Sequence, residues 1–231
     1  MKLQLLDELS IPYNIKIGKY KRLTLRIDAS GVCQIRIPRG VSNEFLENFI
    51  SKNIEWIKKH NHLKQQPQRL FINGEKYLYL GKEYDTYYFI NKHEGVHLND
   101  NQMIVYTKDD SITRKSKIIN EWIKKQAELV FNEMLMITFN TMKEYLSKYP
   151  KLSIKRYKSR WGCCYPSRCE IIINLDLIHL PIELISYTFY HELSHFKYLN
   201  HSKEYHEFLR KFVPNENKLR TEFKKYHVNY E

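Results

Sequence analysis

The chain has 231 residues, 42% of them hydrophobic, enough to bury a substantial core as one domain with two lobes or as two small ones. Its formal net charge of +12 points towards polyanionic partners, and no apolar run approaches the roughly 20 residues that span a bilayer. Asp7 and Glu8 interrupt the first apolar patch, which argues against a signal peptide, so a cytoplasmic protein with four reduced cysteines is expected.

Residues 12–37 alternate with period two: Leu23, Leu25 and Ile27 share one face, and Cys33, Ile35 and Ile37 repeat the pattern across an Ala29-Ser30-Gly31 turn. This predicts a hairpin. Pro38 and Gly40 end it, and from Ser42 the apolar spacing becomes helical through Phe45, Phe49, Ile50, Ile54 and Ile57 to about Leu63. Gln65 to Gln68, with Pro67, reads as a linker. Residues 69–106 return to strands, with Asn73-Gly74 as a two-residue hairpin turn and Asn99-Asp100-Asn101 as another turn. The tyrosines there, among them Tyr77, Tyr84 and Tyr88, read as packing in aromatic-rich strands, with base stacking as the other use open to them.

Ser111 is an N-cap for a long helical pattern through Ile119, Trp122, Ile123, Val130, Met134, Ile137 and Met142 to about Leu146, whose Glu121, Glu128 and Glu133 read as solvated charges. Residues 148–168 then carry seven lysines and arginines without one acidic residue, a candidate contact for nucleic acid, nucleotide phosphates or an acidic substrate. Cys163, Cys164 and Cys169 lack the Cys-x-x-Cys spacing of a structural zinc site, and Cys33 reads as a buried hydrophobe.

The stretch that carries chemistry is His191-Glu192-Leu193-Ser194-His195. One helical turn separates the two histidines, so both imidazoles project from one face and can share a metal ion, with Glu192 beside it. Pro181 is read as the first helical residue, with Glu183 in the first turn, and Ile182, Ile185, Phe189, Leu193 and Phe196 form a separate core stripe. Catalytic zinc commonly has three protein ligands, and His201 is the third candidate, with His206, Glu204 and Glu207 as rivals. To bring His201 back, the chain must turn after His195. Leu199-Asn200 would do so through a left-handed Asn, and Ser202 would cap a following helix to about Phe212. Water acidified by the metal, with Glu192 taking its proton, makes the spacing that of a hydrolase.

Beyond those residues, Ser159-Arg160-Trp161-Gly162-Cys163-Cys164, Ile173-Asn174-Leu175, Leu180-Pro181 and Asn200-His201-Ser202 together resemble the YgjP-like metallopeptidases, zincin-type proteins related to the WLM and SprT-like groups. The resemblance is densest over 155–209. It implies zinc on His191, His195 and His201, Glu192 as catalytic acid/base, and the Arg160-Trp161-Gly162 strand near the metal cleft. Two positions depart from the pattern: Cys163 replaces the usual serine, and Tyr205-His206 replaces an aromatic pair of the Phe-Trp kind.

The expected fold is therefore α+β. It has a β-hairpin-rich N-terminal lobe with a helix (1–108) and a zincin-like helical lobe with a short antiparallel sheet (109–231), the two forming one unit over about 12–226. The expected function is a zinc metallopeptidase holding one Zn²⁺ per chain, with Arg160, Trp161, Tyr205 and His206 as candidate substrate-binding residues. Two alternatives stand beside it. One is a metal-dependent nucleotide pyrophosphatase in which Lys158 and Arg160 clamp phosphates. The other is a nucleic-acid-associated protein with structural zinc that binds through 148–168.

Overall fold

A computed structural model describes residues 2–28, 31–64, 69–157, 159–223 and 225–226, with 61–64 as backbone. Ala29, Ser30, the 65–68 linker, Lys158 and His227 lie outside the described residues. The chain divides into two compact units, Met1–Arg69 and Leu70–Glu231.

The first unit runs α1 (Gln4–Glu8), β1 (Tyr13–Gly18), β2 (Thr24–Ile27), β3 (Cys33–Pro38), α2 (Asn43–Lys52) and α3 (Ile54–Lys64). β2 and β3 form the expected antiparallel hairpin, but β1 adds to the far side of β3 in parallel, giving the order β1-β3-β2. The register explains this: Tyr13 and Ile15 of β1 sit opposite Cys33 and Ile35, so all three strands turn one apolar face to a core that also holds Leu46, Ile50 and Ile57, while Ile17 at the end of β1 stays exposed. The helix expected from Ser42 is two helices. Asn53 divides them, its side-chain amide donating to the Phe49 carbonyl at 2.8 Å and its backbone N–H to Ile50.

The second unit begins with β4 (Glu75–Tyr79), β5 (Lys82–Ile90), β6 (Gly95–Leu98) and β7 (Gln102–Thr107), in the order β4-β5-β7-β6 with β5 parallel to β7. The hairpin turn joining β4 and β5 is Leu80-Gly81, with φ of 49° and 78°, not Asn73-Gly74. Asn73-Gly74 lies ahead of β4 because the Glu75 carboxylate captures the N–H groups of Leu70 and Phe71, leaving that segment without strand pairing. The sheet groups in one compact unit with the helical part of the chain, not with the N-terminal strands. The cause is packing: Tyr79 stacks near Trp122 (5.0 Å between centroids) and its hydroxyl donates to Gln126.

Trp122 and Gln126 belong to α4 (Ile112–Met142), which Ser111 caps by accepting from the Arg114 N–H. A second sheet follows, β8 (Lys151–Lys155), β9 (Gly162–Tyr165) and β10 (Glu170–Asn174), in the order β8-β10-β9. It is mixed, not antiparallel throughout, since β8 runs parallel to β10. Then come α5 (Ile182–Ser194), α6 (Lys203–Arg210) and α7 (Glu216–Phe223). α5 lies on α4 through Phe131 and Phe189, 5.9 Å apart. Its start is latched to the β4–β5 turn: Leu80 and Gly81 donate their N–H groups to the carbonyls of Ile178 and His179, both at 3.0 Å, and the His179 ring bonds the Leu78 carbonyl. No helix among the described residues is long and apolar enough to cross a membrane.

Candidate metal centre

Pro181 occupies the N-cap position of α5 with extended ψ (146°), so the helix proper starts one residue later than expected. Leu184, Ile185, Phe189 and Leu193 are fully buried and fix the rotation of α5. His191 and Glu192 fall in its last turn and His195 caps it. The helix then unwinds through tighter bonds, Phe196 to Leu193 and Lys197 to Ser194. Asn200 is not among the residues with positive φ, so these closing bonds make the turn without the expected left-handed Asn. Ser202 caps α6 by accepting from the Tyr205 N–H, which sets His201 beside the end of α5.

The candidate ligand atoms of His191, His195 and His201 lie within 4.8 Å of one another, and among the described residues this is the one group of three that could hold a metal. The Nε2 atoms of His191 and His201 are 3.1 Å apart. His195 Nδ1 faces the Tyr198 carbonyl at 3.0 Å; donating there leaves Nε2 with its lone pair. Burial holds His191 down to about 3, its neighbouring histidines adding to the effect, and burial also lowers His195 and His201. Three neutral imidazoles, two of them part-buried and that of His201 exposed, converge in a way that fits a borderline-soft divalent ion. Of the rivals, His206 is engaged by Glu216 at 2.6 Å, Glu207 pairs with Lys203, and Glu204 is exposed.

Glu192, next to His191 on the same helix, is buried, and burial pushes its carboxyl up to about 8, with the Arg160 charge opposing. A carboxyl of that pKa can both take and return a proton near neutral pH. β9 closes over it. A Cβ at Gly162 would sit 2.6 Å from Glu192 Oε1, so only glycine lets the strand come this near. Cys164, two residues on and therefore on the same strand face, stays a thiol, burial and the Glu192 charge pushing it up to about 12.

The four candidate substrate-binding residues separate. Arg160 is exposed, over the Tyr157 ring at 5.7 Å. Trp161 is core, only 6% exposed and packed on Phe223, so it presents no substrate surface. Tyr205 is fully buried, stacked on His195, and its hydroxyl donates to the His191 carbonyl; that contact supports α5 and leaves the hydroxyl engaged inside the protein. His206 is part-exposed and held by the buried Glu216, which Arg210 also contacts at 3.4 Å. Glu216 sits two residues after Pro214, and its sequence context gives no sign of that contact.

Asn174 was also missed as a functional support. Its buried amide donates to the carbonyls of Tyr157 (3.0 Å) and Arg160 (2.9 Å), and its oxygen accepts from the Asp176 N–H, which ties Tyr157 and Arg160 in place ahead of β9. Of the basic stretch, Arg160 is the member whose charge reaches Glu192. Lys148, Lys151 and Arg168 line a surface cavity of about 400 Å³, and Lys155 and Arg156 line another of about 480 Å³ with Lys124 and Glu128.

A family model described as YgjP-like, metallopeptidase domain matches residues 21–226, most of the chain. The chain belongs to the YgjP-like metallopeptidase family. Membership makes it a metal-dependent peptidase in the general sense. A solved structure of the metallopeptidase zymogen of Pyrococcus abyssi abylysin is similar at 20% identity and a TM-score of 0.39, covering 44% of this YgjP-like chain and 99% of its own. A comparison with curated proteins gave no match.

Proposed function

We propose that the chain is a zinc metallopeptidase in which His191, His195 and His201 hold one ion and Glu192 is the general acid/base. The observation that carries this is the convergence of three neutral imidazoles at the end of the helix that also carries the buried Glu192 carboxyl. Zinc, when bound, would acidify a water and polarise the scissile carbonyl. Glu192 takes the proton of the attacking water and delivers it to the departing amine, and its raised pKa suits both halves of that exchange. Tyr205 and the Tyr198 carbonyl hold two of the ligand histidines in place. β9 is an edge strand, so an extended peptide can add to its free side and lie alongside Glu192.

The test is metal content by mass spectrometry on protein purified without added metal, followed by casein hydrolysis with nucleoside triphosphates as competing substrates. Expected are about one zinc per chain in wild type and in His206→Ala, loss in His201→Ala, and a fall of roughly 10²–10⁴ in peptidase activity for Glu192→Gln with metal retained. Failure of the wild type to bind zinc on titration would sink the reading. Pyrophosphate release from nucleotides without action on casein would replace the peptide with a phosphoanhydride, with Arg160 and Lys158 as its clamp.

A further inference from the structure

The first compact unit carries a surface that the metallopeptidase reading does not use. Pairing register in the β1-β3-β2 sheet sorts its side chains into two faces. Ile15, Ile35 and Leu25 align on the face that meets Leu46, Ile50 and Ile57. On the opposite face one row is Lys16, Arg36 and Thr24, and the next is Asn14, Gln34 and Arg26. Lys16, Arg26 and Arg36 are exposed, and none of them forms an ion pair among the described residues. At one end of these strands Lys19, Lys21, Arg22 and Arg39 add four more exposed cations. Between residues 16 and 39 the single acidic residue is Asp28, whose carboxylate is occupied by the Val32 N–H and the Gln34 amide.

An aromatic ring lies among these charges. Gly18 belongs to the same outer face, opposite Pro38, and a Cβ there would come within 2.9 Å of Tyr20 Cε2. The missing side chain lets the Tyr20 ring lie across the strand, with the Arg36 guanidinium carbon 6.0 Å from its centroid. Lysine-rich surfaces are usually just solvated. This face differs in setting cations one strand apart, about 4.8 Å, beside amide side chains and a ring held against the sheet. Phosphates would meet the cations, a base would stack on Tyr20, and Asn14 and Gln34 would offer both donors and acceptors to base edges. A duplex hides its bases and an acidic polypeptide has no flat rings spaced between its charges, so the ring favours an unpaired strand.

We propose that the outer face of the β1-β3-β2 sheet binds single-stranded nucleic acid, with Lys16, Arg26 and Arg36 on phosphates and Tyr20 under a base.

The full chain is titrated by fluorescence anisotropy with labelled oligo-dT and oligo-U of about 20 nucleotides, over salt from about 50 to 400 mM. Lys16→Gln/Arg26→Gln/Arg36→Gln is expected to lower the slope of log affinity against log salt by about 2, three contacts at about 0.7 each. Tyr20→Ala should weaken binding by about tenfold, Tyr20→Phe should restore it, and duplex of equal length should respond little to either. Circular dichroism and zinc content, unchanged in each variant, show that folding is intact. The proposal is overturned if the triple variant keeps the wild-type slope, or if polyglutamate competes as well as oligo-dT. It is also overturned if Lys148→Gln/Lys151→Gln/Lys155→Gln removes the binding instead.

Discussion

Gly162→Ala tests whether β9 is seated on the Glu192 carboxyl. The new methyl carbon would lie 2.6 Å from Glu192 Oε1, 2.8 Å from Cγ and 2.9 Å from Cδ. Carbon atoms in contact prefer about 3.5–4.0 Å, so three contacts are short by roughly an ångström at once. Glu192 is only 5% exposed and has little room to swing aside, so either β9 lifts or the carboxyl leaves its place. Overpacking of this kind costs about 1–3 kcal/mol, a fall of roughly 2–12 °C in the unfolding midpoint. A double-mutant cycle with Glu192→Ala isolates the contact, because removing the carboxylate removes the obstruction. Gly162→Ala should be strongly destabilising alone and nearly neutral in the Glu192→Ala background, with a coupling energy of about 1–3 kcal/mol. Thermal unfolding of the four proteins measures it. Additive effects, or an alanine variant as stable as wild type, would show that the strand is not seated on Glu192.

Three further outcomes follow from the structure. Asn174→Ala removes the partner of two carbonyls and an N–H in a buried place, which should lower stability by about 3 kcal/mol and speed tryptic cleavage at Arg156 and Arg160; an unchanged cleavage rate would refute the tether. Arg114 holds the Glu94 carboxyl down to about 2 through two bonds of 2.6 and 2.7 Å. A depressed carboxyl stabilises the fold above its unfolded value of about 4.5 and loses that contribution as pH falls towards 2. The unfolding midpoints of wild type and Glu94→Gln should therefore differ at pH 6 and converge by about pH 2, and parallel curves would contradict this. Zinc at about 100 times its dissociation constant should stabilise the wild type by about 2.7 kcal/mol, a chelator should abolish the shift, and His201→Ala should show none. Equal shifts in wild type and His201→Ala would remove His201 from the ligand set.

What the sequence revealed was what is local. The histidines are one turn apart on a helix, and Ser111 and Ser202 each announce a cap that the structure makes, accepting from Arg114 and Tyr205. What escaped depends on partners distant in the chain. The parallel pairing of β1 with β3 is decided by a shared apolar face, which alternation reports equally well for an antiparallel strand. Leu80 has no preference for positive φ, and its turn exists because Ile178 and His179 accept from it and from Gly81. Trp161 and Tyr205 looked like surface aromatics near a site, yet Phe223, His195 and the His191 carbonyl claim them. Glu216, beyond a proline in a basic tail, carries no local sign that His206 will reach it.

The latch between the β4–β5 turn and the residues before α5 has a bearing on how the second unit assembles. Leu80 and Gly81 find their acceptors about a hundred positions further along, and the segment between them includes α4 and the whole β8-β10-β9 sheet. Closing so large a loop has an entropic cost that only the completed core offsets. During synthesis the hairpin must therefore wait, its turn N–H groups facing water, until residues 178–181 have left the ribosome. The three converging histidines follow within twenty-five residues, so the last event that secures the hairpin is also the one that sets α5 on its base.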